Sequence, residues 1–357
     1  MFTRIHVFEK RYRELSTMLY DPAVASDNSR FTEIMKELRQ LEPIVEAYEK
    51  YKSAEESISD ALSILGDASS DEEMKSFAQE ELDSAKSALA SLEQEIRILL
   101  LPRDENDDKN VIVEIRAGAG GEEAALFSAE LFRMYSMYAE SKNFSVDVIN
   151  ASETELGGYK EISFMIEGSG AFSRFKYESG VHRVQRVPET ESGGRIHTST
   201  VTVAVLPEAE DVEIEINPKD LKIDTFRSSG AGGQHINKTS SAIRITHLPT
   251  GMVVECQDER SQYKNKDKAM KVLRSRLLSE KQQEQSGAIA AERKSQVGSG
   301  DRSEKIRTYN FHESRVTDHR IKLTIYKLDS VLSGALDELI DPMVAFERAE
   351  KLKESNV

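Results

Sequence analysis

A glycine-rich stretch, RSSGAGGQHINKT at residues 227–239, has the composition of a loop that carries an amide side chain into a confined place. Its glycines allow positive φ and let the backbone approach a partner closely. Gln234 follows Gly232 and Gly233. Its side-chain amide does not act as a general base, but it both donates and accepts hydrogen bonds. Its backbone N–H can stabilise negative charge that develops on an oxygen, so the tripeptide suits the positioning of a water and an oxyanion.

The loop is flanked by bases and contains no acidic residue, which suits phosphate-rich surroundings. A basic run at residues 260–281 adds eight bases against two acids. Residues 226–325 hold 19 Lys/Arg and 11 Asp/Glu, although the whole chain has a net charge of −15. This asymmetry predicts that one region meets a polyanion, although a solvated helix face explains the basic run equally well by itself. The bases predicted to bind RNA are Arg227, Lys238, Arg244, Lys264, Lys266, Lys268 and Lys271.

Composition and motifs exclude several classes of site. The single cysteine, Cys256, excludes an internal disulfide and predicts a reducing compartment, the cytoplasm. The seven histidines are scattered without a metal-binding spacing, and GAGGEE lacks the lysine of a phosphate-binding P-loop. No apolar run reaches the roughly 20 residues that span a bilayer, and the N-terminus lacks the apolar core of a signal peptide. We therefore expect no metal, no cofactor and no membrane contact.

The first 105 residues predict a helical domain with no chemistry of its own. Ser70-Asp-Glu-Glu73 has the pattern of a capping box that starts a helix. Apolar residues then recur at alternating steps of three and four, which predicts an antiparallel hairpin or a short coiled coil. The seam residues are Leu82, Ala85, Leu89, Leu92, Ile96 and Leu99.

The rest of the chain predicts a mixed α and β architecture, so the fold class is α+β with several domains. Strand patterns occur at 111–116, 144–149, 161–166, 200–206 and 212–216, with a helix at about 122–142. A strand pair around AIRITHLPTGMVVEC, a basic helix at about 261–295 and a last helix follow. The predicted domains are a helical domain at 1–105, an α/β domain at 106–225 completed by 290–325, an inserted α/β domain at 226–289 that carries the glycine loop, and a C-terminal helical segment at 326–357.

Several segments together resemble the class 1 peptide chain release factors of bacteria. They are GAGGEEAALF, GVHRVQRVP, GRIHTSTVTVAVLPE, GAGGQHINKTSSAIRITHLPTG and GSGDRSEKIRTYNF, in the family's order and over essentially the whole chain. Each segment alone is an ordinary turn, cap or strand, and only the ordered set is specific. The resemblance implies that the 106–225 domain recognises a stop codon and that Gly232, Gly233 and Gln234 promote hydrolysis of peptidyl-tRNA.

The element Pro188-Glu189-Thr190 is similar to the Pro-x-Thr element of the branch that recognises UAA and UAG. A threonine hydroxyl can accept from the amino group of adenine, and a proline stiffens the loop that presents it. Gln185 and Thr198 combine donor and acceptor, so both adenine and guanine suit them at the third position. His197 offers a ring for base stacking, and the resemblance places Gly120 and Glu123 at the first uracil. We expect the side chain of Glu189 to point away from the codon.

The resemblance also implies partners: the 70S ribosome with its messenger RNA stop codon, ribosomal RNA and peptidyl-tRNA, a methyltransferase that modifies the side-chain nitrogen of Gln234, and a recycling GTPase release factor. Because ribosomal RNA would stabilise much of the transition state, we expect no stand-alone enzyme. Three alternatives stay open at this point: a codon-independent ribosome-rescue hydrolase, the branch that recognises UAA and UGA, and a non-catalytic RNA-binding assembly protein.

Overall fold

The computed structural model describes residues 2–66, 71–102, 104–188, 193–209, 214, 216–226, 241–259, 261–298 and 300–354. The chain divides into two compact units, one with Met1–Glu105 and Asp337–Val357 and the other with Asn106–Leu336. Among the described residues, no helix has both the length and the apolarity that crossing a membrane requires.

The helices and strands are named in chain order. The helices are α1 (Phe2–Met18), α2 (Pro22–Ala25), α3 (Asn28–Gly66), α4 (Glu72–Leu99), α5 (Glu122–Ser141), α6 (Ala171–Phe175), α7 (Gln262–Val297), α8 (Leu328–Leu332) and α9 (Asp337–Glu354). The strands are β1 (Val111–Ala117), β2 (Ser145–Glu153), β3 (Tyr159–Glu167), β4 (Gly180–Arg186), β5 (His197–Pro207), β6 (Leu221–Phe226), β7 (Ala242–His247), β8 (Val253–Cys256), β9 (Lys305–Asn310), β10 (Arg315–Asp318) and β11 (Leu323–Ile325).

Helices α3 and α4 of the first unit form the hairpin that the heptad pattern predicts. The predicted seam residues are buried or half-buried, and Ile96 packs with Ala47 and Tyr51. Ile96 lies at the far end of α4 from the turn and Ala47 lies well before that turn in α3, so the two helices are antiparallel. The cap is one residue later than predicted, because the carboxylate of Asp71 accepts the N–H of Met74 at 2.8 Å. Ser70 lies outside the described residues.

The second unit is built on a mixed sheet with strand order β11-β10-β9-β4-β5-β1-β3-β2. Its pairs are antiparallel, apart from the parallel pair of β4 and β9. Helix α5 buries Phe127, Leu131 and Tyr135 against the sheet. The mixed α and β fold class predicted from the sequence is thus confirmed.

Two arginine-centred ion-pair groups join strands and helices of this sheet, and the first lies in its interior. Arg307 of β9 is fully buried, with Nη1 2.6 Å from Glu178 Oε2 and Nη2 3.3 Å from Asp318 Oδ2. Tyr135 donates its hydroxyl to Glu178 Oε2 at 3.0 Å, and Arg320 contacts Asp318 at 2.6 Å. The group therefore joins α5, β9, β10 and the turn before β4.

Electrostatics in this buried group follow from burial and from Arg307. Burial alone raises the pKa of the Glu178 carboxyl, but Arg307 outweighs it and the net pKa lies below the usual value. His182 bonds to the Tyr309 hydroxyl at 3.2 Å and to the Glu178 carbonyl oxygen at 2.8 Å. Burial and then the charge of Arg307 lower the pKa of His182 to about 4. His182 is therefore neutral at pH 7.

A second sheet, β6-β7-β8, packs on the N-terminal half of α7. Its core joins Ile243, Ile245 and Val254 to Ala269 and Leu273 of the helix. Cys256 is buried in the same core. The C-terminal half of α7 contacts the large sheet instead, because Arg293 forms an ion pair with Glu114 at 2.5 Å and the side chain of Gln296 bonds both backbone groups of Val205.

Two predicted domain boundaries cut through elements of this architecture, and one predicted segment divides between the two units. The boundary at 225/226 falls inside β6 and the one at 289/290 falls inside α7, because hydrogen bonding continues where composition changes. The segment 326–357 does not stay together: α8 contacts α5 and β10 in the second unit, whereas α9 contacts α4 in the first. The strand predicted at 212–216 is not among the elements described, and residues 212, 213 and 215 lie outside the described residues.

Candidate nucleic-acid interface

The glycine loop is carried by the small sheet. Gly232, Gly233, Gln234, Arg227 and Lys238 lie outside the described residues. The strands on either side of the loop are described, and Phe226 at the end of β6 pairs with Ala242 at the start of β7. The two described residues that flank the loop therefore lie a single strand spacing apart.

The other predicted RNA-binding bases fall into two sets. Arg244 and Lys268 are engaged: Arg244 forms an ion pair with Glu255 at 2.7 Å, and Lys268 forms one with Asp258 at 3.1 Å. Arg244 also lies over the ring of Phe226 at 5.4 Å. Three bases of α7 point into solvent with no ion pair to any residue that the structure describes: Lys264, Lys266 and Lys271. The charge available to a polyanion on this helix is thus smaller than the sequence suggests.

Three predicted codon-recognition residues lie at one end of the β4–β5 pair. Gln185 pairs with Thr198, and Arg186 pairs with His197. Gln185 and Thr198 are half-buried, His197 is exposed and Pro188 is buried. Glu189 and Thr190 lie outside the described residues. The strand register therefore brings Gln185, His197 and Thr198 to one edge of the large sheet.

The start of α5 lies beside the same strand end. Gly118 N donates to Thr200 O at 2.9 Å, and Thr200 N donates to Ala119 O at 2.8 Å. Gly120 has a φ of 135°, and a Cβ there would collide with the side chain of Ser199. A glycine is therefore required by both backbone conformation and space. The N-cap residue, exposed Gly121, has no side chain that could bond the N–H groups of the first turn.

Glu123 is placed differently from the expectation that it faces RNA. Its side chain is buried, with Oε1 2.6 Å from Arg186 Nε. A buried charge needs a partner, and the Arg186 guanidinium supplies it for this carboxylate. The Glu123 side chain is therefore engaged with Arg186, and the residue as a whole is buried.

Arg186 is the residue of this region that the sequence reasoning missed. It also contacts Glu130 at 2.5 Å, and its guanidinium lies 4.9 Å from the centre of the Phe311 ring. Burial lowers the pKa of Arg186, but the Glu130 and Glu123 carboxylates outweigh this and raise it above its ordinary value. The sequence around Arg186, GVHRVQRVP, does not show which carboxylates its guanidinium contacts. Arg186 also lines a cavity of about 730 Å³ together with Arg133, Val187 and Ile196.

The described part of the chain holds no cluster of three or more metal-ligating side chains that suits a metal ion. The region presents the exposed ring of His197, the side chains of Gln185 and Thr198, and the start of α5. The buried ion pair of Arg186 and Glu123 lies next to them. Such groups recognise nucleobases by stacking and by hydrogen bonds to their edges.

Comparisons with known proteins agree with this chemistry. The PCRF domain model matches residues 8–203, and the RF-1 domain model matches residues 210–320. Peptide chain release factor 1 of Caldicellulosiruptor saccharolyticus is 59% identical over 354 residues, with 99% of each chain covered. The chain belongs to the peptide chain release factor 1 family.

Further relatives extend the same match. Peptide chain release factor 1 of Clostridioides difficile is 58% identical over 352 residues, covering 99% of each chain. Among solved structures, RF2 of Thermus thermophilus aligns with a TM-score of 0.48 and 32% identity, covering 94% of this chain and 93% of that chain. As a release factor the protein acts in translation termination.

The two domain models divide the candidate residues of the release factor. The PCRF match contains the helix start at Gly120 and the strand end at Gln185, Pro188, His197 and Thr198. The RF-1 match contains the glycine loop and the basic half of α7.

Proposed function

We propose that this release factor recognises UAA and UAG in the ribosomal A site and triggers hydrolysis of the peptidyl-tRNA ester. The observation that carries the proposal is the register of β4 and β5. Gln185 lies opposite Thr198, and Thr200, two residues further along β5, is bonded to the loop that starts α5. Groups from three separate segments therefore meet at one edge, as the recognition of three successive bases requires.

Each base has a group of matching chemistry. The uncapped start of α5 presents N–H donors, which suit a carbonyl oxygen of uracil and oppose the amino group of cytosine. Thr190, two residues after buried Pro188 in the sequence, accepts from the amino group of an adenine at the second position. His197 stacks on a base. Gln185 and Thr198 donate and accept, so adenine and guanine are both tolerated at the third position.

Catalysis is assigned to Gly232, Gly233 and Gln234. The backbone N–H of Gln234 stabilises the developing oxyanion, and its side chain positions the attacking water. Support comes from the small sheet, in which Phe226 and Ala242, on either side of the loop, are paired. Lys264, Lys266 and Lys271 then meet ribosomal RNA phosphates. Ribosomal RNA completes the site, so the chain is a ribosome-dependent factor and not a stand-alone enzyme.

The finer partners are part of the same proposal. The factor acts in the cytoplasm on the 70S ribosome, Gln234 is methylated on its side-chain nitrogen by a dedicated methyltransferase, and a recycling GTPase release factor removes it afterwards. Mass spectrometry of the peptide that contains Gln234, from cells with and without candidate methyltransferases, tests the modification directly.

The deciding experiment is peptide release from purified ribosomes programmed with UAA, UAG, UGA or a sense codon. Release on UAA and UAG only is expected. Release on UGA would assign the other branch, and release on every codon would assign ribosome rescue. Ribosome binding without release would instead favour a non-catalytic assembly protein.

Two variants of Gln234 separate its backbone from its side chain in the same assay. Gln234→Pro removes the N–H donor, whereas Gln234→Ala keeps it. We expect Gln234→Pro to lower the release rate by a further factor of about 100, the usual effect of losing one oxyanion donor. Similar rates for the two variants would refute the role of the N–H.

A further inference from the structure

Arg186 belongs to the end of β4 and its side chain contacts helix α5, so it joins these two segments. It is the last residue of β4, directly before the loop that contains Pro188, and its backbone pairs with His197. Its guanidinium reaches across to α5, where Nε donates to Glu123 Oε1 at 2.6 Å and Nη1 donates to Glu130 Oε1 at 2.5 Å. Glu123 and Glu130 are two turns apart on one face of α5, so a single side chain fixes the first two turns of the helix against the strand.

The local charge makes this contact hard to replace. Two carboxylates share one guanidinium, and the side chains of Arg186 and Glu123 are 15% and 4% exposed. Glu123 Oε2 and Glu130 Oε2 are buried without a hydrogen-bond partner among the described residues. Each acid therefore depends on Arg186, and its loss would leave two like charges on one helix face, which repel each other. The ring of Phe311 at 4.9 Å fixes the plane of the guanidinium from the other side.

The start of α5 is fixed on its other flank by backbone hydrogen bonds and by the Thr200 hydroxyl, which accepts from Ala119 N at 3.0 Å. Thr200 bonds to Gly118 and Ala119, and Gly120 lies against Ser199 with no room for a side chain. The direction of the N–H groups at the helix start is therefore set by β5 on one flank and by Arg186 on the other. A shift of a few tenths of an ångström in that direction weakens a hydrogen bond, because its strength depends steeply on distance and angle.

We propose that Arg186 is a positioning residue that aims the start of α5 and thereby sets discrimination between uracil and cytosine at the first codon position. This inference rests on the proposed recognition of stop codons. Arg186 itself does not contact the codon. It acts through Glu123 and Glu130, and its effect is confined to the base that meets the helix start.

The test compares release from ribosomes programmed with UAA, UAG and CAA, with kcat and KM measured for wild type and Arg186→Lys. Lysine keeps the charge but loses the fork that reaches both carboxylates. We expect the ratio of kcat/KM on UAA to that on CAA to fall about tenfold, the effect of one weakened hydrogen bond to charge. The ratio of UAA to UAG is expected to stay within about twofold, since successive side chains of a strand point to opposite faces, so that of Gln185, assigned to the third base, points away from that of Arg186.

Arg183→Lys is the matched control. Arg183 lies on the same strand, is half-buried, and donates Nε to Thr308 at 3.2 Å, away from the contacts of Arg186 with α5. It is expected to leave both ratios unchanged. Glu123→Gln supplies a second test if Arg186→Lys does not fold, because it keeps the acceptor but removes the charge that Arg186 meets, and the UAA to CAA ratio is expected to fall with it.

The outcomes separate the inference from the proposal on which it rests. A wild-type factor that releases equally on UAA and CAA would overturn the proposed codon recognition itself. Normal wild-type discrimination, with Arg186→Lys lowering release on all codons by one factor alongside a lower melting temperature, would show a purely structural role and overturn the inference. An unchanged UAA to CAA ratio in both Arg186→Lys and Glu123→Gln would overturn it as well.

Discussion

Two arginines of the large sheet each bind two carboxylates, yet they stand in opposite surroundings. Arg307 is fully buried, and its acids are completed by further donors from Tyr135 and Arg320. Arg186 lies at the end of a strand beside a cavity, and both of its acids keep one oxygen without a described partner. An arginine that pairs with two carboxylates thus stabilises the fold when the group is buried, as around Arg307. It orients a surface segment when the group lies at the end of a strand, as around Arg186.

Replacing the buried Arg307 is expected to have the largest effect on stability. Arg307→Met leaves Glu178 as a buried carboxylate without a cationic partner, whereas Asp318 keeps Arg320, and the change costs about 3–5 kcal/mol of unfolding free energy. Urea unfolding followed by circular dichroism measures the loss. Arg315→Met is the control, since the Arg315–Glu313 pair is exposed on both sides, and pairs of that kind contribute about 0–1 kcal/mol. Equal losses for the two variants would show that enclosure is not what matters.

A change of pH probes the same enclosed group from a different direction. The pKa of His182 is about 4 in the folded protein, against an ordinary value of 6.5, so the unfolded chain binds the proton more tightly. The stability from neutral His182 is therefore complete above pH 6.5 and falls as the pH drops towards 4, by about 3 kcal/mol in total. Glu178 and Asp318, with lowered pKa values, lose their contribution only at still lower pH.

Urea titrations at pH 7, 6 and 5 check this expectation, with His182→Gln as the comparison. The variant is expected to be less stable at pH 7 and to show a flatter dependence between pH 6.5 and 4.5. An identical slope in wild type and variant would contradict the assignment of that slope to His182.

Of the two arginine groups, the one around Arg186 is expected to show the smaller change in stability. Arg186→Met should cost about 1–2 kcal/mol, because Glu130 lines the adjoining cavity and can be hydrated there, so that only Glu123 is left buried without its partner. The same urea titration measures it. A loss as large as that of Arg307→Met would erase the distinction between the two groups and favour a structural role for Arg186.

Local patterns predicted the elements well, since their periodicity is a property of neighbouring residues. The seam of α4, strands β1, β2, β3 and β5 of the large sheet and the long basic helix were predicted, whereas β4, β9, β10 and β11 were not. The recognition of the glycine loop and of the Pro188 element also came from sequence, through the family's ordered motifs. Both elements fall largely outside the described residues, so their placement stays a prediction.

Long-range partners could not be predicted in this way. Arg307 meets Glu178 across 129 residues, and Arg186 meets Glu123 across 63. A single sequence shows that an arginine lies in a predicted strand, but it does not show which of many carboxylates pairs with that arginine. The same limit explains why Glu123 was expected at the surface: its neighbours suggested a helix start, whereas its partner lies on a distant strand.

Helix α7 gives the molecule a fixed angular relation between its two sheets. Leu277 is the last helix residue buried against the small sheet, and Arg293 already belongs to the large one, so about 24 Å of helix lies between these contacts. One residue inserted in that interval would rotate one sheet about 100° relative to the other and lengthen the span by about 1.5 Å. Seven inserted residues would restore the phase to within about 20° while adding roughly 10 Å. The relative orientation of the two sheets and the distance between them can thus be varied separately by insertions into α7.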